Sequence, residues 1–228
     1  MTRKHQLDQF YDLLNQAQKK FSLRPFSELN RNNIPRMGVY YFFDINEKRD
    51  NKEQFKVIRV GTHAARDKSK TTVYERLNQH FGSKKGLGNH RSSIFRELIG
   101  NSLIKKDNLP ITNWGQKYKK IDDENEIEFQ VSLYLKKLLF IVIEVPGEAN
   151  KNNDRSFIEK NSIALLSNYE KMENIDKPNN NWLGYDTKNI KICESGLWNS
   201  EYVNYESVDQ KFLSKLETLI LKMKNYNI

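Results

Sequence analysis

The sequence predicts a mixed α/β (α+β) protein with a small central antiparallel three-stranded sheet, flanked by helices and extended by helices at both ends. Two segments rich in Val, Ile, Tyr and Phe, residues 38–44 and 57–63, lie on either side of a polar stretch that is typical of a hairpin loop. A helical pattern follows them, and residues 138–145 are apolar enough to form a central strand.

The second strand of the predicted hairpin has one polar and one apolar face. Side chains alternate between the two faces of a strand, so Arg59 and His63 would share a face with Val57 and Gly61. The other face is apolar apart from Thr62. Polar groups therefore gather on one side of the sheet.

The helix predicted after the hairpin carries two stripes. An apolar stripe at i, i+4 and i+8 would pack on the core and consists of Val73, Leu77 and Phe81. Arg76 and His80 are also four residues apart and form a polar stripe. If this helix packs on the hairpin, five polar side chains would line one cleft: Tyr40, Arg59, His63, Arg76 and His80.

Around this sheet the chain divides into three parts. Residues 1–36 carry an amphipathic helix and a connector, in which Pro35 is incompatible with a central strand. Residues 37–169 contain the predicted sheet, its helices and basic insertions. Residues 170–228 end in an amphipathic helix that we expect to pack on the same core.

The composition favours one core in a reducing compartment. At 228 residues and 37% apolar content, the chain fits one domain with embellishments. Cys193 is its single cysteine, which excludes an intrachain disulfide and a Cys-based zinc site and favours the cytoplasm. No segment reaches the roughly 20 apolar residues that span a bilayer, so we expect no membrane partner.

The charge of the chain favours a polyanionic partner. The formal net charge is +9, and neutralising phosphates releases counterions from a nucleic acid. A basic loop with two glycines would let the backbone approach a phosphate, and its candidate contacts are Lys84, Lys85, Asn89, His90 and Arg91. The alternative is that this loop caps a short helix, residues 92–99, which would end at Gly100.

The sequence around Trp198 offers a second candidate contact with nucleic acid. Trp198 and Asn199 are adjacent, and an exposed Trp beside an Asn could stack on a base or bond to its edge. The alternative is that Trp198 belongs to the hydrophobic core.

Several of these residues form a pattern that resembles the GIY-YIG nuclease family. Gly38-Val39-Tyr40 matches the first half of the family motif, and Arg59-Val60-Gly61 matches the second half with Arg in place of the second Tyr. Arg76 and His80 follow as Arg-x-x-x-His on the next helix. The order and spacing of the three parts carry the resemblance, which covers residues 37–168.

The resemblance also implies a metal-binding glutamate on a late helix. Glu159 matches it, within Ile158-Glu159-Lys160-Asn161 beside an apolar line of the helix. The family places an Asn after this Glu, for which Asn168 is the first candidate; Asn161 and Asn174 are the alternatives.

The function implied by the resemblance is metal-dependent hydrolysis of DNA, most simply double-stranded DNA, by a stand-alone nuclease of restriction or defence/repair type that cuts as a homodimer. Glu159 would hold Mg²⁺ or Mn²⁺, and Arg76 would neutralise the phosphate. Tyr40, assisted by His80, would position or deprotonate the water, with His63 and Arg59 as further catalytic candidates. The alternatives are a binding module whose nuclease site has decayed and a scaffold with no nucleic-acid role.

Overall fold

The computed structural model describes residues 2–63, 69–83, 85–116, 124–148, 150 and 153–227. Within these ranges, one antiparallel sheet holds four strands in the order β1-β4-β2-β3. The strands are β1 (Arg24–Pro25), β2 (Gly38–Lys48), β3 (Phe55–Gly61) and β4 (Leu139–Glu144).

The predicted mixed α/β class is confirmed, whereas the predicted number of strands is one too low. The additional strand is the dipeptide β1, which pairs with β4 at the edge of the sheet. A pattern of alternating residues cannot reveal a strand of two residues, and an edge is where a sheet tolerates a proline. β4 lies between β1 and β2, as its apolar sequence predicts.

Seven α-helices lie within the described residues: α1 (Arg3–Gln18), α2 (Val73–Phe81), α3 (Ile94–Lys106), α4 (Glu124–Lys137), α5 (Asp154–Leu166), α6 (Ile190–Ser195) and α7 (Phe212–Lys222). The two terminal helices, α1 and α7, contact each other and α5. None of the helices in the described part of the chain is long and apolar enough to cross a membrane.

The predicted end of a helix at Gly100 is wrong. Gly100 lies inside α3, and a Cβ atom placed on it would approach the Trp114 ring to 2.4 Å. The glycine therefore leaves room for the indole of Trp114, whose Nε1 donates to the Glu97 carbonyl at 3.0 Å. Close packing, and not a turn, explains a glycine at this position.

A β-bulge corrects the predicted faces of β3. Phe42 pairs with Arg59 and Phe43 with Val57, so Ile58 is an extra residue in β3. The bulge moves Val57 to the face opposite Arg59, whereas Arg59 and Gly61 keep the face predicted for them. Sequence alternation cannot reveal where a bulge interrupts a strand.

Candidate active site

Helix α2 presents Arg76 and His80 to the sheet, and both of its ends are fixed. Thr72 and Glu75 form a reciprocal capping box that begins the helix. At the other end, the buried guanidinium of Arg96 donates to the carbonyl oxygen of His80 at 2.8 Å. The spacing of the two polar residues is therefore held by the helix and by a neighbouring element.

Tyr40 and His80 form a buried hydrogen-bonded pair. The Tyr40 hydroxyl lies 2.9 Å from His80 Nε2, and His80 Nδ1 lies 2.7 Å from Ser93 Oγ. Burial, followed by the charges of Arg76 and Arg59, holds the pKa of His80 well below its ordinary value. A neutral imidazole with Nδ1–H donating to Ser93 can accept the phenolic proton at Nε2.

Two cations oppose the effect of burial on the Tyr40 hydroxyl. Burial raises the pKa of Tyr40, whereas the charges of Arg59 and Arg76 lower it. This surrounding charge is the condition under which a tyrosine can act as a base.

The phenol ring of Tyr40 lies over Gly61 on the neighbouring strand β3. Tyr40 and Gly61 are paired in register, and a Cβ atom placed on Gly61 would lie 2.3 Å from the Tyr40 hydroxyl oxygen. The glycine at the end of β3 is thus required by the close approach of the tyrosine.

We expect Gly61→Ala to displace the Tyr40 ring. The added methyl group overlaps the phenol, and relieving such overpacking costs about 1–3 kcal/mol. Urea unfolding should show a loss of this size, and the change should also lower the activity of the site. A variant as stable as the wild type would contradict the observed closeness of the two residues.

Arg59, which stands at the second Tyr of the motif, is buried beside Tyr40 rather than exposed. Its guanidinium lies over the Phe95 ring at 4.5 Å from the ring centre and donates through Nη1 to the Trp198 carbonyl. Arg76 is more accessible: it is half-buried and donates to Gln79 Oε1 at 2.8 Å. Arg76 is therefore accessible enough to bind a phosphate. The charge of the buried Arg59 instead lowers the pKa of the neighbouring Tyr40.

Glu159 completes the cluster from helix α5. Asn153 caps the start of this helix by accepting from the Ser156 backbone N–H at 2.9 Å. Burial raises the pKa of Glu159 to about 7, whereas the charges of Arg59 and Arg76 and the nearby Thr62 backbone N–H act to lower it. Since the oxygens of a carboxylate suit a hard cation, Glu159 fits a Mg²⁺ ligand.

Comparison with known families adds an independent observation. The family model described as a GIY-YIG domain matches residues 1–226. The chain belongs to the GIY-YIG family. Neither curated proteins nor solved structures gave a significant match. Membership implies a nuclease with a nucleic-acid substrate, and GIY-YIG nucleases generally depend on a metal ion.

The raised pKa of Glu159 predicts how the stability of this GIY-YIG protein depends on pH. Folding raises this pKa from 4.5 to about 7, so the carboxyl group contributes stability below its unfolded pKa that is lost as pH rises through about 7. In EDTA, we expect Glu159→Gln to be more stable than the wild type by about 2 kcal/mol above that pH, and by much less in acid. Urea unfolding on both sides of this range checks it; a pH-independent difference would contradict it.

His63 and Asn168 do not join the cluster of Tyr40, His80 and Glu159. His63 is buried, its ring nitrogens have no hydrogen-bond partner among the described residues, and burial lowers its pKa to about 4. Asn168 lies beyond the end of α5, where its amide bonds to both backbone groups of Ile175. The role of Asn168 as the partner of Glu159 stays a prediction, and its bonds to the backbone of Ile175 do not favour it.

The two alternatives to Asn168 have different surroundings. The Asn161 amide donates to the Phe157 carbonyl at 2.9 Å and accepts from the Asp209 backbone N–H at 2.7 Å. Asn174 is exposed. Neither placement links an amide to Glu159.

The basic loop provides fewer surface contacts than its sequence predicts. Lys85 and Asn89 are exposed, whereas Lys84 lies outside the described residues. Arg91 pairs with the carboxylate of Glu124. His90 is fully buried and stacks on the Trp114 ring at 3.8 Å between ring centres. The prediction that His90 contacts nucleic acid is therefore wrong, because its ring is enclosed in the protein.

The predicted base contact of Trp198 and Asn199 is also wrong. Trp198 has 0% exposure and packs against the Trp182 ring at 5.4 Å between ring centres. Asn199 is buried and bonds to the backbone of Val60. An enclosed ring cannot stack on a base, so the alternative of a core tryptophan is correct.

A second group of potential metal ligands lies beside helix α4. Single ligand atoms of His90, Glu124 and Glu128 lie within 4.8 Å of one another. The carboxylates of Glu124 and Glu128 pair with Arg91 and Arg96, respectively, and the His90 backbone also donates to Glu128. Since both carboxylates are engaged in ion pairs, whereas Glu159 forms none with a described residue, Glu159 is the better candidate for the catalytic cation.

Two residues that the sequence analysis did not single out position His80. Ser93 begins α3 by accepting from the Arg96 backbone and contacts the His80 ring, while Arg96 holds the His80 carbonyl. A Ser three residues before Arg96 is a recognisable helix cap. Its contact with His80 depends on how α2 and α3 pack together, which local sequence patterns do not give.

Proposed function

We propose that this GIY-YIG protein is a metal-dependent endonuclease that hydrolyses DNA phosphodiester bonds in restriction or defence. One observation carries the proposal: a tyrosine paired with a neutral histidine lies within the electrostatic reach of two arginines and a carboxylate. These groups meet the needs of phosphodiester hydrolysis, which are an activated water and stabilisation of charge on the phosphate.

A divalent cation fits beside Glu159. The carboxylate is half-buried with a raised pKa, so a cation bound to it would favour the ionised form. When bound, Mg²⁺ or Mn²⁺ would supply Lewis-acid stabilisation of the charge that develops on the phosphate. The nearby Thr62 backbone N–H also favours the ionised carboxylate.

Tyr40 would act on the attacking water, and Arg76 would act on the phosphate. Tyr40 would take a proton from the attacking water, with His80 Nε2 accepting the proton that the phenol gives up. Arg76, which is half-buried on α2, would bind the non-bridging oxygens of the phosphate with its planar guanidinium. Arg59 contributes its charge to Tyr40 from inside the protein.

The substrate that we propose is double-stranded DNA, cut in the cytoplasm by a homodimer with one site for each strand. The net charge of +9 supports binding to the phosphate backbone. The alternative is a nucleic-acid-binding module whose nuclease site has decayed, which the arginine at position 59 favours because it departs from the motif.

Incubation with plasmid DNA separates the two functions. With Mg²⁺, an endonuclease should give discrete fragments that disappear in EDTA, and the fragment ends would identify its recognition sequence. DNA binding that weakens with salt, without cleavage in Mg²⁺ or Mn²⁺, would support the binding module instead.

A further inference from the structure

The segment from Gly196 to Asn199 takes the place of a neighbouring strand on β3. β3 is the edge strand of the sheet, and its outer backbone groups need partners. The Trp198 N–H donates to the Ile58 carbonyl at 2.7 Å. The Asn199 side chain accepts from the Val60 N–H at 3.0 Å and donates to the Val60 carbonyl at 2.9 Å.

The same segment holds the side chain of Arg59. Arg59 lies between Ile58 and Val60, and its guanidinium donates to the Trp198 carbonyl. Arg59 is 6% exposed, and its Nε has no hydrogen-bond partner among the described residues. Among the described residues, the orientation of the guanidinium therefore depends on two contacts, the hydrogen bond to the Trp198 carbonyl and the packing over the Phe95 ring.

We propose that Asn199 is a positioning residue of the nuclease site, which fixes β3 and the Trp198 carbonyl so that Arg59 is held beside Tyr40. This inference rests on the proposed function. It gives the C-terminal part of the chain a role in the active site, although the motif residues lie between positions 38 and 159.

The need for such a residue follows from the substitution in the motif. A tyrosine in a sheet is rigid, whereas an arginine has a long flexible side chain that loses much rotamer entropy when it is ordered. Burying its charge also costs free energy. An amide that bonds to both backbone groups of Val60 fixes the strand at the next residue, and the enclosed Trp198 ring fixes the carbonyl.

The position of Arg59 can be measured without any cleavage reaction. In ¹H–¹⁵N spectra of arginine side chains, the Arg59 Nε–H signal, assigned with Arg59→Lys, should be protected from solvent exchange in the full chain. We expect Asn199→Ala to remove this protection and Asn179→Ala to leave it unchanged. Asn179 is a matched control because it is exposed and its amide donates to the Asn46 carbonyl. An unchanged Arg59 signal in folded Asn199→Ala would overturn the proposal.

Cleavage kinetics give the second test. We expect Asn199→Ala to lower the single-turnover rate about 10- to 100-fold while the Kd for DNA in EDTA is unchanged. In an Arg59→Lys background the same change should add no further loss, because Asn199 acts through Arg59. Losses that multiply would overturn the proposal.

The proposal can still be tested if Asn199→Ala does not fold or if the wild type cuts no DNA. If Asn199→Ala does not fold, Asn199→Asp retains the acceptor for the Val60 N–H and removes the donor, and it should show the same two effects. If the wild type cuts no DNA, the proposed function fails, and the Arg59 signal alone decides whether Asn199 positions this side chain.

Discussion

Replacing Glu159 with Gln should lower the rate of DNA cleavage by at least about 10³-fold. Glutamine keeps the shape of the side chain but loses the charge that would hold a divalent cation, and the electrostatic contribution of such a cation amounts to several kcal/mol. The single-turnover rate at saturating Mg²⁺ measures the loss. DNA binding in EDTA should be unchanged or slightly tighter, because a negative charge near the phosphate is removed.

One observation would contradict this role of Glu159, and another would attribute the loss to the fold instead. Metal-dependent cleavage at the wild-type rate by folded Glu159→Gln would show that another group holds the cation. A parallel loss of DNA binding and of cooperative unfolding would show that the substitution damages the fold, although the half-buried position of the side chain on α5 makes an isosteric amide tolerable.

Replacing Tyr40 with Phe should lower the cleavage rate by about 10²- to 10⁴-fold, the usual contribution of a general base. The ring and its packing against Phe42 remain, while the hydroxyl that bonds to His80 and feels the charge of Arg76 is lost. Kinetics of the variant at saturating DNA and Mg²⁺ measure the effect.

The pH profile shows whether Tyr40 acts as a base. The pKa of Tyr40 is raised by burial, and a tyrosine acts as a base in its ionised form. At saturating Mg²⁺, which would hold Glu159 ionised, wild-type activity should therefore continue to rise in alkali, whereas the residual rate of Tyr40→Phe should stay level there. The same alkaline rise in both proteins would assign the base to another group.

The active-site residues that lie close in sequence were predictable. Tyr40 and Gly61 belong to one hairpin, and Arg76 and His80 share one face of a short helix, so local periodicity brings them together. The order of these parts also identified the family, which the family comparison confirms. Only the family motif pointed to Glu159 from the sequence. The charged surroundings of this residue follow from the packing of α5 on the sheet, which local sequence patterns do not give.

Contacts between distant parts of the chain were not predictable. Asn199 bonds to Val60 across 139 positions, and no local pattern marks that amide as the partner of an edge strand. His90 was expected at the surface because Asn, His and Arg follow glycines, yet Trp114 and Glu128 enclose it. Burial of polar residues depends on partners supplied by the tertiary fold.

The dependence of the cleavage rate on Mg²⁺ concentration tests most directly which carboxylate holds the cation. Wild type, Glu159→Gln and Glu124→Gln should be compared on one duplex under single-turnover conditions, because Glu124 belongs to the other group of potential ligands. We expect Glu124→Gln to follow the wild-type curve and Glu159→Gln to stay near zero at every concentration. A wild-type curve for Glu159→Gln, with a weakened Mg²⁺ response for Glu124→Gln, would contradict the proposed site.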